Sequence, residues 1–417
     1  QESINPDVQP NPSDNTVDIG YSVEEAAADQ IRLSAGFAAG YLMLEAGLQF
    51  SNFSMRNIFN KKAWRPLPMG DGQKLGISVS TLGRYYLTYN ISFTEPWLGG
   101  RKPNAFTVAF YQSFFTNNYE KADSRYGWFN QTGATVGLGR RLTWPDDYFA
   151  LYQGLNFKRY SLENYQSIHL TVGDGNGKFN LISYSIILSR NSVSQPLYPR
   201  SGSEFQLGLE ITPPYSLFSD KDYTKLDDNE KYKWIEMHRW NFKAAWYTEL
   251  YEKLVMMTRV RFGYLGYYND QIGPTPFHRF FLGGDGLANY SLDSRELVGM
   301  RGYANSSLTP GFYSNSGTGG TGGNILAKYT LELRYPLSLN PQATIYALTF
   351  LEAGNCWLGL QNFDPFSVKR SAGVGVRIFL PMFGLLGLDW GYGFDDVYGT
   401  TGNNGSQFHF SIGGSID

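Results

Sequence analysis

Along most of the chain, apolar and polar side chains alternate with a period of two, the repeat of a strand whose faces meet different surroundings. In residues 369–380, Lys369, Ser371, Gly373, Gly375 and Arg377 share one face, while Arg370, Ala372, Val374, Val376, Ile378 and Leu380 share the other. In 386–395, Leu388, Trp390, Tyr392 and Phe394 alternate with Gly387, Asp389, Gly391, Gly393 and Asp395. In 253–264, Leu254, Met256, Thr258, Val260, Phe262 and Tyr264 oppose Lys253, Met257, Arg259 and Arg261. In 204–212, Phe205, Leu207, Leu209 and Ile211 oppose Glu204, Gln206, Gly208 and Glu210. Alternation alone fits a soluble sandwich as well as a barrel in lipid. Three further features favour lipid. Many runs reach ten residues or more, the length of a tilted membrane strand of about 9–11 residues. Tyr and Trp crowd the run ends, at Trp97, Trp128, Trp144, Tyr148, Trp234, Trp240, Trp357 and Tyr398, as interfacial girdles require. Short connectors (82–84, 145–147, around Glu252, 336–342) alternate with long ones (213–236 and 270–323), matching short turns on one side of a membrane and long loops on the other.

Counted from Gln30, the runs predict about sixteen strands, an even number that closes an antiparallel barrel. The expected fold is all-β: a transmembrane antiparallel β-barrel over residues 30–417. Residues 17–23 read as one more strand, set off from Ile31 by Glu24, Glu25 and Asp29. Residues 1–29 are therefore expected to be the end of a small preceding domain and its linker. A disordered leader is the plain alternative.

Composition agrees with a chain that has one lipid face and one wet face. Aromatic residues make up 16% and charged residues only 17%, against roughly 25% charged in ordinary soluble domains. Mean hydropathy is nonetheless −0.32. The longest apolar run, 378–388, is broken by Pro381, Gly384 and Gly387, so no helix of about 20 apolar residues is expected. A net charge of −2 carries no nucleic-acid signal. The single cysteine, Cys356, cannot form an internal disulfide. The polar start, 1–16, has no export signal, and the chain reads as a mature fragment.

The connector 270–323 is too long for an idle loop. It contains Val298-Gly299-Met300-Arg301-Gly302-Tyr303 and a flexible Gly/Thr tract at 317–323. On the strands that follow, Lys328, Thr330, Glu332 and Arg334 share one face, and Glu352 shares a face with Tyr346, Phe350 and Gly354. The chain ends on Asn403-Asn404-Gly405-Ser406-Gln407-Phe408-His409-Phe410, where Phe408, Phe410 and Ile412 should face lipid and Gln407, His409 and Ser411 the lumen.

These motifs resemble those of BamA-type assembly barrels of bacterial outer membranes, and with Phe93-Thr94-Glu95-Pro96-Trp97 the resemblance spans essentially the whole chain. It implies that the sixth external loop folds into the lumen through Arg301, Gly302 and Tyr303. Met300 departs from the usual Val or Ile. The resemblance also implies acidic partners for Arg301 at Glu332 and Glu352. The family commonly has Asp in an aromatic-x-Asp-x-Gly pattern at the second position, so the longer Glu352 makes Arg301–Glu332 the expected direct contact. A further implication is a weak seam between a last strand bearing Asn403, Gly405, Phe408 and Phe410 and a first strand bearing Ile31, Leu33, Gly36 and Phe37. Glycine weakens a strand, although Gly36 and Gly40 also fit a tight barrel corner. The chain runs on to Asp417, whereas client barrels often end on an aromatic.

The function implied is an insertase that folds and inserts β-barrel proteins into the outer membrane by strand pairing at this seam, without nucleotide, metal or other cofactor. Implied partners are unfolded outer-membrane clients, accessory assembly lipoproteins, periplasmic chaperones, and the lipid bilayer with its lipopolysaccharide. Residues 1–29 would end the last periplasmic POTRA domain. The runner-up is a related secretion barrel exporting a polypeptide through its lumen, then a passive porin. A barrel lipase would need a lipid-facing Ser-His pair, and none is found. Enzyme readings are weak. His169, His238, His278 and His409 are widely spaced, no Gly-x-Ser-x-Gly elbow occurs, and 317–323 lacks the Lys-Ser/Thr of a phosphate loop. Asp174-Gly175-Asn176-Gly177 reads as a turn.

Overall fold

The computed structural model describes residues 7–11, 16–20, 29–38, 41–64, 66–117, 119–165, 170, 172–284, 294–311, 322–340, 342–380, 384–397 and 405–412. Two short strands, β1 (Asp7–Asn11) and β2 (Thr16–Gly20), pair as an antiparallel hairpin ahead of the main sheet. The strand expected at 17–23 thus begins one residue earlier; 21–23 lie outside the described residues.

The main sheet has sixteen antiparallel strands. They are β3 (Gln30–Ala38), β4 (Tyr41–Phe53), β5 (Gln73–Thr81), β6 (Tyr86–Glu95), β7 (Asn104–Thr116), β8 (Trp128–Arg141), β9 (Phe149–Glu163), β10 (Gly177–Asn191), β11 (Gly202–Ile211), β12 (His238–Tyr251), β13 (Leu254–Gly266), β16 (Ile325–Asn340), β17 (Ala343–Trp357), β18 (Lys369–Leu380), β19 (Gly384–Gly393) and β20 (Ser406–Ile412). Each strand pairs with its sequence neighbour, and β13 pairs with β16 across the long loop, which holds β14 (Phe280–Leu282) and β15 (Glu296–Val298) as a small parallel pair. This all-next-neighbour order is that of a transmembrane barrel. The order runs from β20 to β3, and among the described residues no register joins these two edges.

The alternation sorts side chains as a lipid-facing wall requires. On β18, Ser371, Gly373, Gly375 and Arg377 are buried while Val374 is exposed. On β19, Gly387, Asp389, Gly391 and Gly393 are buried while Leu388, Trp390 and Tyr392 are exposed. Polar groups are hidden and apolar ones displayed, the reverse of a soluble sandwich. The interior is not uniformly wet, however. Inward Phe129, Tyr160, Phe179 and Leu181 pack with Phe277, Phe280, Leu282 and Val298 of the long loop into a dry core.

The connectors correct three expectations. Successive connectors lie on opposite ends of an antiparallel sheet. The tight connector 82–85 therefore shares its end with the long 212–237 and 267–324, not with the short turns. The opposite end has the short turns 142–148, 252–253 and 341–342, but also the long connector 54–72. Pro336 lies inside β16, at a register shift between Pro336 and Ser338, where a bulge tolerates its missing N–H. Among the expected girdle residues, Trp144 and Tyr148 are exposed, whereas Trp357 is 4% exposed, packed with Ile325, Ala327 and Phe363. Tyr398 lies outside the described residues. Glu95, in the turn motif, accepts from the Trp97 amide (3.0 Å).

Leu351 is exposed at the middle of β17. Leu351→Arg should destabilise the protein in a bilayer by about 2–4 kcal/mol, the cost of a cation near the midplane, read by denaturant titration in liposomes. An unchanged midpoint would place this face in water instead.

Candidate functional site: a loop lock in the lumen

The long loop enters the interior because its own apolar residues complete the dry core, and a short tight segment then crosses to the opposite wall. Gly284 and Met300 form an isolated bridge, with Met300 N donating to Gly284 O (2.9 Å) and Gly284 N to Met300 O (3.1 Å). This delivers Arg301, fully buried, to the inner faces of β16–β20.

Arg301 donates from Nη2 to Glu332 Oε1 (2.7 Å) and to Glu352 Oε1 (2.8 Å), and from Nε to Glu352 Oε1 (3.1 Å). Its backbone N–H donates to Glu352 Oε2 (2.8 Å). Glu352 is thus the more extensively bonded partner, against the expectation that its extra methylene would favour Glu332. The longer side chain reaches past the guanidinium to the loop backbone, a bond made with its second oxygen. Arg301 also reaches Asp389 Oδ1 (3.5 Å) and lies over the Phe350 ring, 3.6 Å from its centroid. A cation on an aromatic face is further stabilised when desolvated.

The carboxylates are shared. Lys328 Nζ lies 3.1 Å from Glu352, Arg334 Nε donates to Glu332 Oε2 (2.8 Å), and Arg377 Nη1 donates to Asp389 Oδ1 (2.9 Å). Burial by itself lowers the pKa of the Arg301 guanidinium; the charges of Glu352, Glu332 and Asp389 more than offset it and hold Arg301 above the usual arginine range. Such a cluster stabilises little relative to an apolar core, but removing one member strands the others. Its main effect is to fix register.

The two following residues extend the contact. Gly302 N–H donates to His409 Nε2 (2.8 Å) on β20, so that nitrogen carries no proton. The Tyr303 hydroxyl donates to the Arg370 carbonyl (2.7 Å) on β18 and accepts from Asp395 N–H (3.2 Å) just past β19. Burial pushes the Tyr303 phenol up to about 12. Gly302 has φ +84°, and a Cβ there would meet Gly393 N at 2.9 Å. Conversely, a Cβ on Gly391 would meet Gly302 N at 2.7 Å. Glycines on the inner face of β19 thus clear a path for the loop backbone. Through these bonds Arg301, Gly302 and Tyr303 touch every strand from β16 to β20.

The structure thus brings Arg301, Gly302, Tyr303, Glu332 and Glu352 together. The seam residues lie apart from them. On β3, Ile31 and Leu33 are exposed (76% and 78%), Gly36 pairs with Met43 and Phe37 with Leu42. On β20, Phe408 and Phe410 are exposed outward. Gly405 precedes the strand with φ +124° and accepts from Gly393 N–H (3.0 Å). Asn403, His169 and residues 317–321 of the Gly/Thr tract lie outside the described residues. Sequence reasoning missed Asp389, Arg377, Lys328, Arg334, Phe350 and His409 as members of the lock. Asp389 was visible as an inward position, as were Gly391 and Gly393, but nothing local said that a distant loop would reach them. Among the described residues no group of histidine, cysteine and carboxylates is placed to hold a metal ion, and no helix is long and apolar enough to cross a membrane.

A sixteen-stranded sheet with lipid-type outer faces and an internal loop tied to its last strands defines an outer-membrane-type barrel with a luminal plug. Residues 69–416 match the Omp85 superfamily domain, and the chain belongs to that superfamily. Its fold is similar to that of BamA from Haemophilus ducreyi lacking POTRA domains 1–3 (TM-score 0.66, 19% identity, covering 98% of this chain and 74% of that one). It is also similar to CdiB from Escherichia coli (TM-score 0.55, 12% identity, 99% and 67% covered). CdiB from Acinetobacter baumannii matches at TM-score 0.54 and 13% identity, with 98% and 65% covered. Barrels of this family are bacterial outer-membrane proteins.

Arg301→Ala should leave Glu332, Glu352 and Asp389 facing three cations, with only the backbone N–H of residue 301 still bonding Glu352 to the loop. We expect a loss of about 3–5 kcal/mol in denaturant titrations, together with protease cleavage within 267–324 and intact barrel strands by circular dichroism. A loop that stays protease-resistant in this variant would refute the lock.

Proposed function

We propose that this protein is an insertase of the bacterial outer membrane, which folds and inserts other β-barrels through the edges formed by β3 and β20. The carrying observation is the luminal lock, which ties the last five strands into one wall: Gly302 holds His409 on β20 while Arg301 and Tyr303 hold the four strands before it. The C-terminal wall can therefore stay a unit while the other edge parts from it. An exposed strand edge carries unpaired N–H and C=O groups that template a new strand, and burial of the client's apolar face in lipid supplies free energy without nucleotide.

Under this reading the clients are unfolded outer-membrane barrels, delivered by periplasmic chaperones. The seam opens into a bilayer whose outer leaflet is lipopolysaccharide, accessory lipoproteins sit on the periplasmic side, and residues 1–29 end a periplasmic POTRA domain. The related exporting role differs in using the lumen. The loop core of Phe277, Phe280, Leu282 and Val298 fills part of that lumen and favours the seam.

The test is a set of cysteine pairs joining Leu33 on β3 to positions along β20, in the purified protein reconstituted in liposomes. An unfolded outer-membrane barrel is the client, and its folding rate is the readout. The reduced protein should accelerate folding, the oxidised one should lose most of that acceleration, and reductant should restore it. Undiminished acceleration with the seam covalently closed would overturn the proposal.

A further inference from the structure

The connector 54–72 is the longest on the short-turn end of the barrel among the described residues, and it is built rather than loose. Ser54 N donates to Pro68 O (2.8 Å), Asn57 Nδ2 to Met69 O (2.9 Å) and the Trp64 indole to Ile58 O (3.2 Å). Two short 3-10 turns, Arg56–Phe59 and Lys61–Ala63, sit inside this frame. With part of its backbone hydrogen-bonded within the segment, it displays Phe59 at 95% exposure, and Met55 and Trp64 are exposed as well. Arg56, Lys61 and Lys62 are interleaved with them and also exposed.

Its side of the wall can be read from register. Outward Leu75, Ile77 and Val79 on β5 fix the parity on which Gln73 also points outward. Gln73 is nevertheless buried, and its Oε1 accepts from Met55 N–H (2.7 Å). Phe53 pairs with Gln73, is equally buried, and packs edge-on against outward Phe93 at 6.2 Å. The connector therefore starts on the outer surface, against β4–β6 and one strand from the seam edge β3.

We infer that this connector is a membrane-interface anchor that binds the anionic phospholipid headgroups of the short-turn-side leaflet beside the seam. An apolar knob of Phe59, Met55 and Trp64 on the outer rim of a spanning barrel meets the acyl–headgroup boundary. Three exposed cations on the same two turns, Arg56, Lys61 and Lys62, match the negative surface of an anionic leaflet and would gain nothing in a neutral one. Trp at this depth has the amphipathic ring that interfaces favour. The inference rests on the barrel spanning a membrane and not on the insertase role.

The test uses the full chain with Phe59→Cys carrying a bimane label, reconstituted in phosphatidylcholine vesicles with or without phosphatidylglycerol. Cys356 is buried and stays in place. In anionic vesicles the label should be quenched by a lipid bearing a shallow doxyl group and shielded from aqueous iodide. Quenching should fall by about twofold or more in neutral vesicles, in high salt, or on adding Lys61→Glu and Lys62→Glu, because each cation contributes separately near an anionic surface. A label that stays open to iodide in every vesicle overturns the inference and assigns the knob to a protein partner in water. Lipid quenching indifferent to phosphatidylglycerol, salt and charge reversal overturns the headgroup assignment. Seam-dependent client folding can be intact or lost in either case, so the two readings fail separately.

Discussion

A single buried guanidinium organises the C-terminal strands of this barrel. Arg301 is fully buried in the interior, so its charge must be matched there, and the matching groups sit on three strands: Glu332 on β16, Glu352 on β17 and Asp389 on β19. Each carboxylate also holds a cation from the wall. A desolvated cluster of this kind adds little net stability, but removing one member leaves the others buried and uncompensated. It converts a long, otherwise free loop into a part with one position.

The loop's own residues divide the labour. Phe277, Phe280, Leu282 and Val298 are drawn to the apolar inner patch of Phe129, Tyr160, Phe179 and Leu181 by ordinary burial, which is strong but undirected. The Arg301–Gly302–Tyr303 segment supplies direction. Its backbone can approach β19 only because Gly391 and Gly393 carry no side chain, and only Gly302 tolerates the turn made there. The wall and the loop are therefore fitted to each other across almost ninety residues of sequence between Arg301 and Asp389.

The outer surface follows a different constraint. The inner lock is concentrated on β16 to β20. The structured connector 54–72 lies on the other flank, outside β4–β6, with its aromatic and basic residues displayed. The two flanks of the sheet thus differ, one held from the lumen and the other carrying an ordered connector on its outer face.

The amino-acid sequence by itself determined the strands and their facing. A period of two leaves only two choices of outward face, and lipid accepts one of them, so Leu388, Trp390, Phe408 and their counterparts could be placed without coordinates. It also marked Arg301, Gly302 and Tyr303 and the inward Glu332 and Glu352. Tertiary structure alone decided which carboxylate bonds most, that Asp389 and His409 join the lock, that Trp357 is packed away, and that 82–85 lies at the long-loop end while 54–72 lies at the other. Periodicity is a property of one strand. Pairings between a loop and a wall, or between a connector and the end of the barrel it occupies, depend on distances that only the assembled sheet sets.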